Sequence, residues 1–113
     1  IDLRIVDEQG RDVADGQPGE LWIRSPALAS GYWNKAEVTA QAFTQGWYRS
    51  GDIAIRDAEG LYYIHDRLKD MIVSGGENIY STEIESVLST HPAVAAVAVI
   101  GVPDPRWGEA VKA

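Results

Sequence analysis

A five-residue run dominated by charge, Asp66-Arg67-Leu68-Lys69-Asp70, separates two stretches of this chain that follow different patterns. Ahead of it, short apolar runs alternate with Gly- and Asp-rich turns. Behind it come a short apolar run, a glycine pair, a helical period and a long apolar run. A chain that changes pattern across a short polar link is expected to fold as two small lobes, here residues 1–66 and 67–113.

In the first lobe, Leu3, Ile5 and Val6 are spaced like a half-buried strand, and Glu20 to Arg24 reads as a second. Asp7-Glu8-Gln9-Gly10 and Asp15-Gly16-Gln17-Pro18-Gly19 are turn signals. Ser25 to Asn34 reads as an ordered loop. Lys35 to Phe43 is compatible with a short helix, with Asn34 as its N-cap and Glu37 at the third helical position. Ile53 to Arg56 and Leu61 to Ile64 flank Asp57-Ala58-Glu59-Gly60, a hairpin signal. Together these predict a small, barrel-like antiparallel lobe.

In the second lobe, Met71-Ile72-Val73 predicts a strand and Ser74 to Asn78 a glycine loop. Thr82 to Thr90 predicts a helix, with Thr82 and Glu85 as a capping box. Its apolar face is Ile84, Val87 and Leu88, and His91-Pro92 ends it. Val94 to Ile100 reads as a strand buried on both faces. Glu109 to Lys112 begins another. The fold class expected is α+β: an antiparallel β lobe followed by a truncated α/β lobe.

Composition narrows the function classes. Of the 113 residues, 45% are apolar and 24% charged, as in ordinary globular chains. Ten Lys and Arg against seventeen Asp and Glu leave a net charge of −7, which disfavours non-specific nucleic-acid binding and docking to an anionic membrane. Cysteine is absent, which excludes disulfides, thiolate metal sites and a cysteine nucleophile. That composition is compatible with a cytoplasmic location. No apolar run approaches the roughly 20 residues of a membrane span. The chain opens and closes in mid-pattern, as expected of a piece of a longer protein.

Several residues carry candidate chemistry. Asp52, behind Ser50-Gly51, either caps its own turn or offers a carboxylate to a vicinal diol such as ribose. Arg67 is either part of a solvated charge cluster or a fork of donors for ribose, carboxylate or phosphate. Ser74-Gly75-Gly76-Glu77-Asn78 is a plain tight turn or a place where backbone approaches a ligand closely. It matches neither GxxxxGK[ST] nor GxGxxG. Trp107, between Arg106 and Gly108, is a partly buried anchor or an indole able to stack on a purine ring. His65 and His91 lack partners at metal-ligand spacing, and no metal site is expected.

The ordered series of motifs is more specific than any one of them. Gly19-Glu20-Leu21-Trp22-Ile23, Gly31-Tyr32, Gly46-Trp47-Tyr48-Arg49-Ser50-Gly51-Asp52, Asp66-Arg67-Leu68-Lys69-Asp70, Ser74-Gly75-Gly76-Glu77-Asn78-Ile79-Tyr80, Glu83-Ile84-Glu85 and Val102-Pro103-Asp104 together resemble the adenylate-forming superfamily. This is the superfamily of acyl-CoA synthetases, luciferases and the adenylation domains of peptide synthetases. The likeness covers essentially the whole chain, and the loop around Gly75-Gly76 looks more like that of acyl- or aryl-CoA ligases.

The resemblance implies a carboxylate attacking the α-phosphate of Mg-ATP, rotation of a small C-terminal domain, and displacement of AMP by the CoA thiol. It implies that Asp52 holds the ribose hydroxyls of ATP and that Arg67 contacts the same sugar region. Lys69 would be the hinge, and Gly75, Gly76 and Glu77 would line the pantetheine tunnel with Trp107 near the CoA nucleotide. Residues 1–66 would be the end of the large N-terminal domain, and residues 67–113 the hinge and a truncated C-terminal domain. The partners implied are ATP with Mg²⁺, a carboxylic acid, CoA and the remainder of the large domain. The family's phosphate loop and its late catalytic lysine have no match, so no catalytic residue is assigned and the 113 residues alone are expected to be inactive. The alternatives are a non-catalytic binding module of the same fold, a strand-edge homodimer, and an adenylation domain that loads a carrier protein.

Overall fold

The computed structural model describes residues 1–113, and the chain divides into two compact units, Ile1–Ile64 and His65–Ala113. Asp66 therefore falls in the second unit. The first unit is built from β1 (Asp2–Val6), β2 (Gly19–Arg24), helix α1 (Ala36–Ala42), β3 (Phe43–Thr44) and β4 (Trp47–Arg56), with β5 (Tyr62–Arg67) beginning in it. Its antiparallel sheet runs β1-β2-β4-β3, and β5 also pairs with β4.

Register sorts the two faces. Leu3 opposes Ile23 and Ile5 opposes Leu21. These residues gather with Ala54, Val13 and Tyr62 into the core of the unit. Side chains alternate in a strand, so the neighbouring pairs Asp2–Arg24 and Arg4–Trp22 occupy the opposite face. There Arg24 and Arg4 stand 4.5 and 5.3 Å from the ring centroid of Trp47, and Arg49 stands 5.7 Å from that of Trp22. Glu20, buried, accepts the indole N–H of Trp22 at 2.9 Å and pairs with Arg49 at 3.0 Å. Those donors replace the water that a buried carboxylate loses.

The Asp57-to-Gly60 turn forms as the sequence predicts. Gly60 takes a φ of +84°, and the Asp57 carboxylate accepts the amide protons of Glu59 and Leu61, each at 2.9 Å. The entry to α1 differs from expectation. Asn34 does not cap it but sits at a φ of +56°, and Lys35 precedes the helix without a side-chain cap bond. Thr39 explains the shift: its hydroxyl accepts the Tyr32 amide at 2.9 Å. A Cβ on Gly31 would lie 2.5 Å from the Thr39 methyl. The loop is tied back onto the helix, and the tie delays the first helical turn.

The second unit holds a single 3₁₀ turn (Leu68–Asp70), β6 (Ile72–Ser74), β7 (Glu77–Ile79), helix α2 (Ser81–Leu88), β8 (Ile100–Asp104) and β9 (Gly108–Lys112). Its sheet runs β7-β6-β9-β8. Three expectations change here. Ser74 to Asn78 is not a loop between strand and helix but the end of a hairpin, because Ser74 pairs with Glu77 across Gly75-Gly76. Both glycines have positive φ, +60° and +85°, as a two-residue type I′ turn requires. Thr82 and Glu85 form no capping box: the Thr82 hydroxyl donates to the His65 carbonyl at 2.7 Å, and Glu85 accepts the Val99 amide at 2.9 Å. Residues 94–99 are not a strand. β8 starts only at Ile100, where its pairing with β9 begins opposite Lys112. The apolar face of α2 is also less covered than its period implies, with Val87 70% exposed.

Two outcomes follow for stability. A Cβ on Gly19 would lie 2.6 Å from the Val6 carbonyl oxygen. Gly19→Ala is expected to lower stability by about 1–3 kcal/mol, read from chemical denaturation, because backbone must move to admit it. The Asp57 carboxyl titrates below its ordinary value, chiefly through the Leu61 amide. A lowered carboxyl pKa stabilises the fold above the ordinary value and loses that contribution as pH falls through the lowered one. Asp57→Asn should therefore lose less stability than the parent between about pH 5 and pH 2, measured by denaturation at each pH.

Candidate functional site

Asp52 owes its position to a glycine inside a strand. Glycine spacing predicts a turn ahead of a strand, whereas Asp52 lies within β4 itself. Glu20 pairs with Ile53 and Trp22 with Arg49, so Leu21 alone faces Ser50, Gly51 and Asp52. The extra residues form a bulge, with Gly51 at a φ of +73° and the Asp52 amide donating to the Ser50 hydroxyl at 3.1 Å. Bulges bend a strand and re-aim a side chain without ending the ladder. The Tyr48 phenol is held above its usual pKa, first by the hydrogen bond with the Tyr32 hydroxyl (3.2 Å), then by burial, and also by the charges of Tyr32 and Asp52. Phe43 packs on Tyr48 with ring centroids 5.2 Å apart. The bulge thus sets a carboxylate within electrostatic reach of a small aromatic cluster.

In the second unit, Arg67 closes β5 and Lys69 sits in the 3₁₀ turn, where the Met71 amide donates to the Arg67 carbonyl at 3.2 Å. Both border a groove of about 540 Å³, with Asp66, Asp70, Glu85 and Glu109 also on its walls. That lining mixes two cations with four carboxylates, so the groove has no single electrostatic sign. The structure brings Arg67 and Lys69 together there. Asp52 belongs to the first unit.

Gly75, Glu77 and Trp107 do converge. Across the sheet, Glu77 opposes Ser74, Ser74 opposes Gly108 and Gly108 opposes Asp104. That row sets the Gly75-Gly76 turn and the Pro105-to-Trp107 loop at one end of the sheet. The Gly75 amide donates to the Trp107 carbonyl at 2.9 Å. A Cβ on Gly75 would lie 3.0 Å from the indole, so the ring rests on bare backbone. The loop is shaped by Asp104, whose Oδ1 accepts the amides of Arg106 and Trp107 at 2.8 and 2.9 Å. Arg106 stands 4.6 Å from the indole centroid, and Trp107 remains 47% exposed. An exposed indole beside a guanidinium offers a flat surface and a positive charge, a pairing suited to a planar or anionic ligand.

No three His, Cys, Asp or Glu side chains converge in a way that could hold a metal ion. No helix is long and apolar enough to cross a membrane. Two contacts escape sequence reading. Glu109 accepts the Val73 amide at 2.8 Å, and its carboxylate fills the space beside Gly101, where a Cβ would lie 2.6 Å from Oε1. His65 pairs with Glu83 at 2.8 Å and packs against Tyr80. No local spacing announces either, since each joins residues well separated in sequence.

The chain is similar to known proteins in both sequence and fold. The family model described as AMP-binding enzyme matches residues 1–33, and the one for the AMP-binding enzyme C-terminal domain matches residues 83–113. A medium/long-chain-fatty-acid–CoA ligase of Mycobacterium tuberculosis is 50% identical over 98% of this chain and 19% of its own length. A feruloyl-CoA synthase of an Amycolatopsis species is 50% identical over 99% of this chain and 23% of its own. Among solved structures, the amide bond synthetase of Marinactinospora thermotolerans superposes with a TM-score of 0.87 at 46% identity, over 97% of this chain and 23% of that one. The o-succinylbenzoate CoA synthetase of Bacillus subtilis, in complex with its acyl-adenylate intermediate, gives 0.87 at 38% identity, over 97% and 22%. The chain spans about a fifth of the length of the relatives it matches.

The two glycines of the hairpin differ in what surrounds them: Gly75 faces the indole, and Gly76 has nothing within 4 Å of an added Cβ. Alanine at either carries a left-handed backbone cost of about 1–2 kcal/mol. Gly75→Ala should cost more than Gly76→Ala in urea denaturation, because it also has to displace Trp107.

Proposed function

Given that this chain belongs to the adenylate-forming, AMP-binding enzyme family, we propose that it is a section of an acyl- or aryl-CoA ligase. Such an enzyme couples a carboxylate with ATP, releases pyrophosphate, and passes the acyl group from AMP to the thiol of CoA. The observation that carries this reading is half-identity along nearly the whole chain to proteins named as CoA ligases for chemically different acids, a fatty acid and ferulate. An acid range that wide at constant similarity fits a segment that handles the shared substrates, ATP and CoA, while residues outside it choose the acid.

Under this reading Asp52 takes the ribose hydroxyls of ATP, and the bulge around Gly51 aims it there. Arg67 supplies donors to the same sugar region. Lys69 is the pivot between the two half-reactions. Gly75, Gly76 and Glu77 line the path of the pantetheine arm, and Trp107 flanks the CoA nucleotide. Mg²⁺ enters as part of Mg-ATP. The half-buried indole on bare glycine backbone, with Arg106 beside it, suits a nucleotide that carries both a base and phosphates. The amide bond synthetase, 46% identical, supports a second reading in which an amine replaces the thiol as acyl acceptor.

In the full-length enzyme, Asp52→Ala is expected to slow adenylation by an amount equivalent to about 1.5–3 kcal/mol, the worth of a hydrogen bond to a charged group. Pyrophosphate release with ATP, Mg²⁺ and the acid reads this directly, and an unchanged rate removes Asp52 from the site. Offering CoA and a panel of amines to the preformed acyl-adenylate distinguishes the acceptors. The 113 residues alone should release no pyrophosphate with any of a panel of carboxylic acids.

A further inference from the structure

Lys69 lies inside the second compact unit, which begins at His65, rather than at its boundary. The reason is a set of contacts that straddle it. His65 and Asp66 precede Lys69 in the chain, and the first turn of α2 follows it. The Asp66 carboxylate accepts the Ser81 hydroxyl at 3.2 Å and the Thr82 amide at 3.4 Å. The Thr82 hydroxyl donates to the His65 carbonyl at 2.7 Å, and the His65 ring meets Glu83 at 2.8 Å. Tyr80 packs edge-on against that ring, with centroids 4.9 Å apart. Asp66 and Ser81 are both buried, at 5% and 6% exposure.

Turning the backbone about Lys69 moves residues 70–113 against residues that come before it. His65 and Asp66 would then go one way and Ser81, Thr82 and Glu83 the other. None of the contacts across Lys69 can survive a large turn. A further bond does survive: the Arg67 amide donates to the other Asp66 oxygen at 2.7 Å, and both residues lie on the same side of Lys69. The carboxylate therefore keeps one protein donor while its remaining lone pairs pass to water, which lowers the cost of opening.

We propose that the contacts of His65 and Asp66 with the first turn of α2 form a lock across Lys69, closed in this conformation and open whenever the chain turns at that residue. The proposal rests on the reading of Lys69 as the pivot. With the lock closed, residues 65–68 travel with the second unit. With it open, they are released from α2, and Lys69 is free to turn. The lock makes the change two-state, since its bonds across the pivot break together rather than yielding gradually.

The experiment is amide hydrogen exchange on the full-length enzyme in two preparations: one with ATP, Mg²⁺ and the acid, the other with AMP and CoA. Exchange at the Thr82 amide should differ between them by at least about fivefold, the factor that one hydrogen bond represents. Thr82→Val, which removes the hydroxyl but keeps the shape, should change the ratio of the two half-reaction rates by about fivefold. Lys69→Pro should block the second half-reaction and abolish the exchange difference. Equal exchange in both preparations, with Lys69→Pro still blocking the second half-reaction, overturns the lock and leaves the pivot standing. A Lys69→Pro enzyme in which both half-reactions run unchanged overturns the pivot and the lock with it.

Discussion

Asp66 places its carboxylate at 5% exposure where three donors meet: the neighbouring Arg67 amide, the Ser81 hydroxyl and the Thr82 amide. A charge taken this far out of water costs several kcal/mol unless protein donors replace its hydration. The local architecture answers that requirement. The end of β5 is held to the start of α2, and the helix receives its N-terminal acceptor from Asp66 rather than from its own cap residue. Tyr80, at the cap position, makes no side-chain cap bond. Its phenol is raised above the ordinary pKa, mainly by burial and then by the charges of Glu83 and Asp66. The same carboxylate thus sets the helix entry and the electrostatic surroundings of the segment that leads into the 3₁₀ turn.

The first unit works by a different constraint. The β2–β4 ladder shifts register around Gly51, and that shift sets the position of Asp52. The space around Gly51 is open, so a side chain there would meet no neighbour but would strain the left-handed backbone on which the extra residues opposite Leu21 depend. The Trp22 and Trp47 ladder with its arginines braces the strands on either side of this defect. A bulge set into a braced sheet fixes the direction of the Asp52 side chain, because the bulge residues need not also carry the core.

Legibility in the sequence followed the range of the interaction. The Asp57 turn, the alternating strands and the helical period over Ser81–Leu88 depend on residues within a few positions of each other, and they read directly. The capping box did not form, because His65 and Glu85's distant partner Val99 outcompeted the local bonds. Period shows which side of α2 is apolar but not what covers it, so the exposure of Val87 could not be foreseen. Residues 94–99 carry strand-like composition, yet a strand needs a ladder partner, and β9 offers one only from Ile100 onward. Of the site residues, the glycines and Trp107 were visible as candidates, while their contact was not.

Sequence alone determined the family, through the order and spacing of its motifs, and the places where the chain must turn, since left-handed backbone at Gly60, Gly75 and Gly76 has a local steric cause. Tertiary structure decided which polar groups satisfy one another. It put Asp66 at the head of α2, Glu109 against Val73 and the indole of Trp107 on Gly75. Those choices depend on burial, which strips water from each group and rewards whichever donor lies nearest in space, regardless of its distance along the chain.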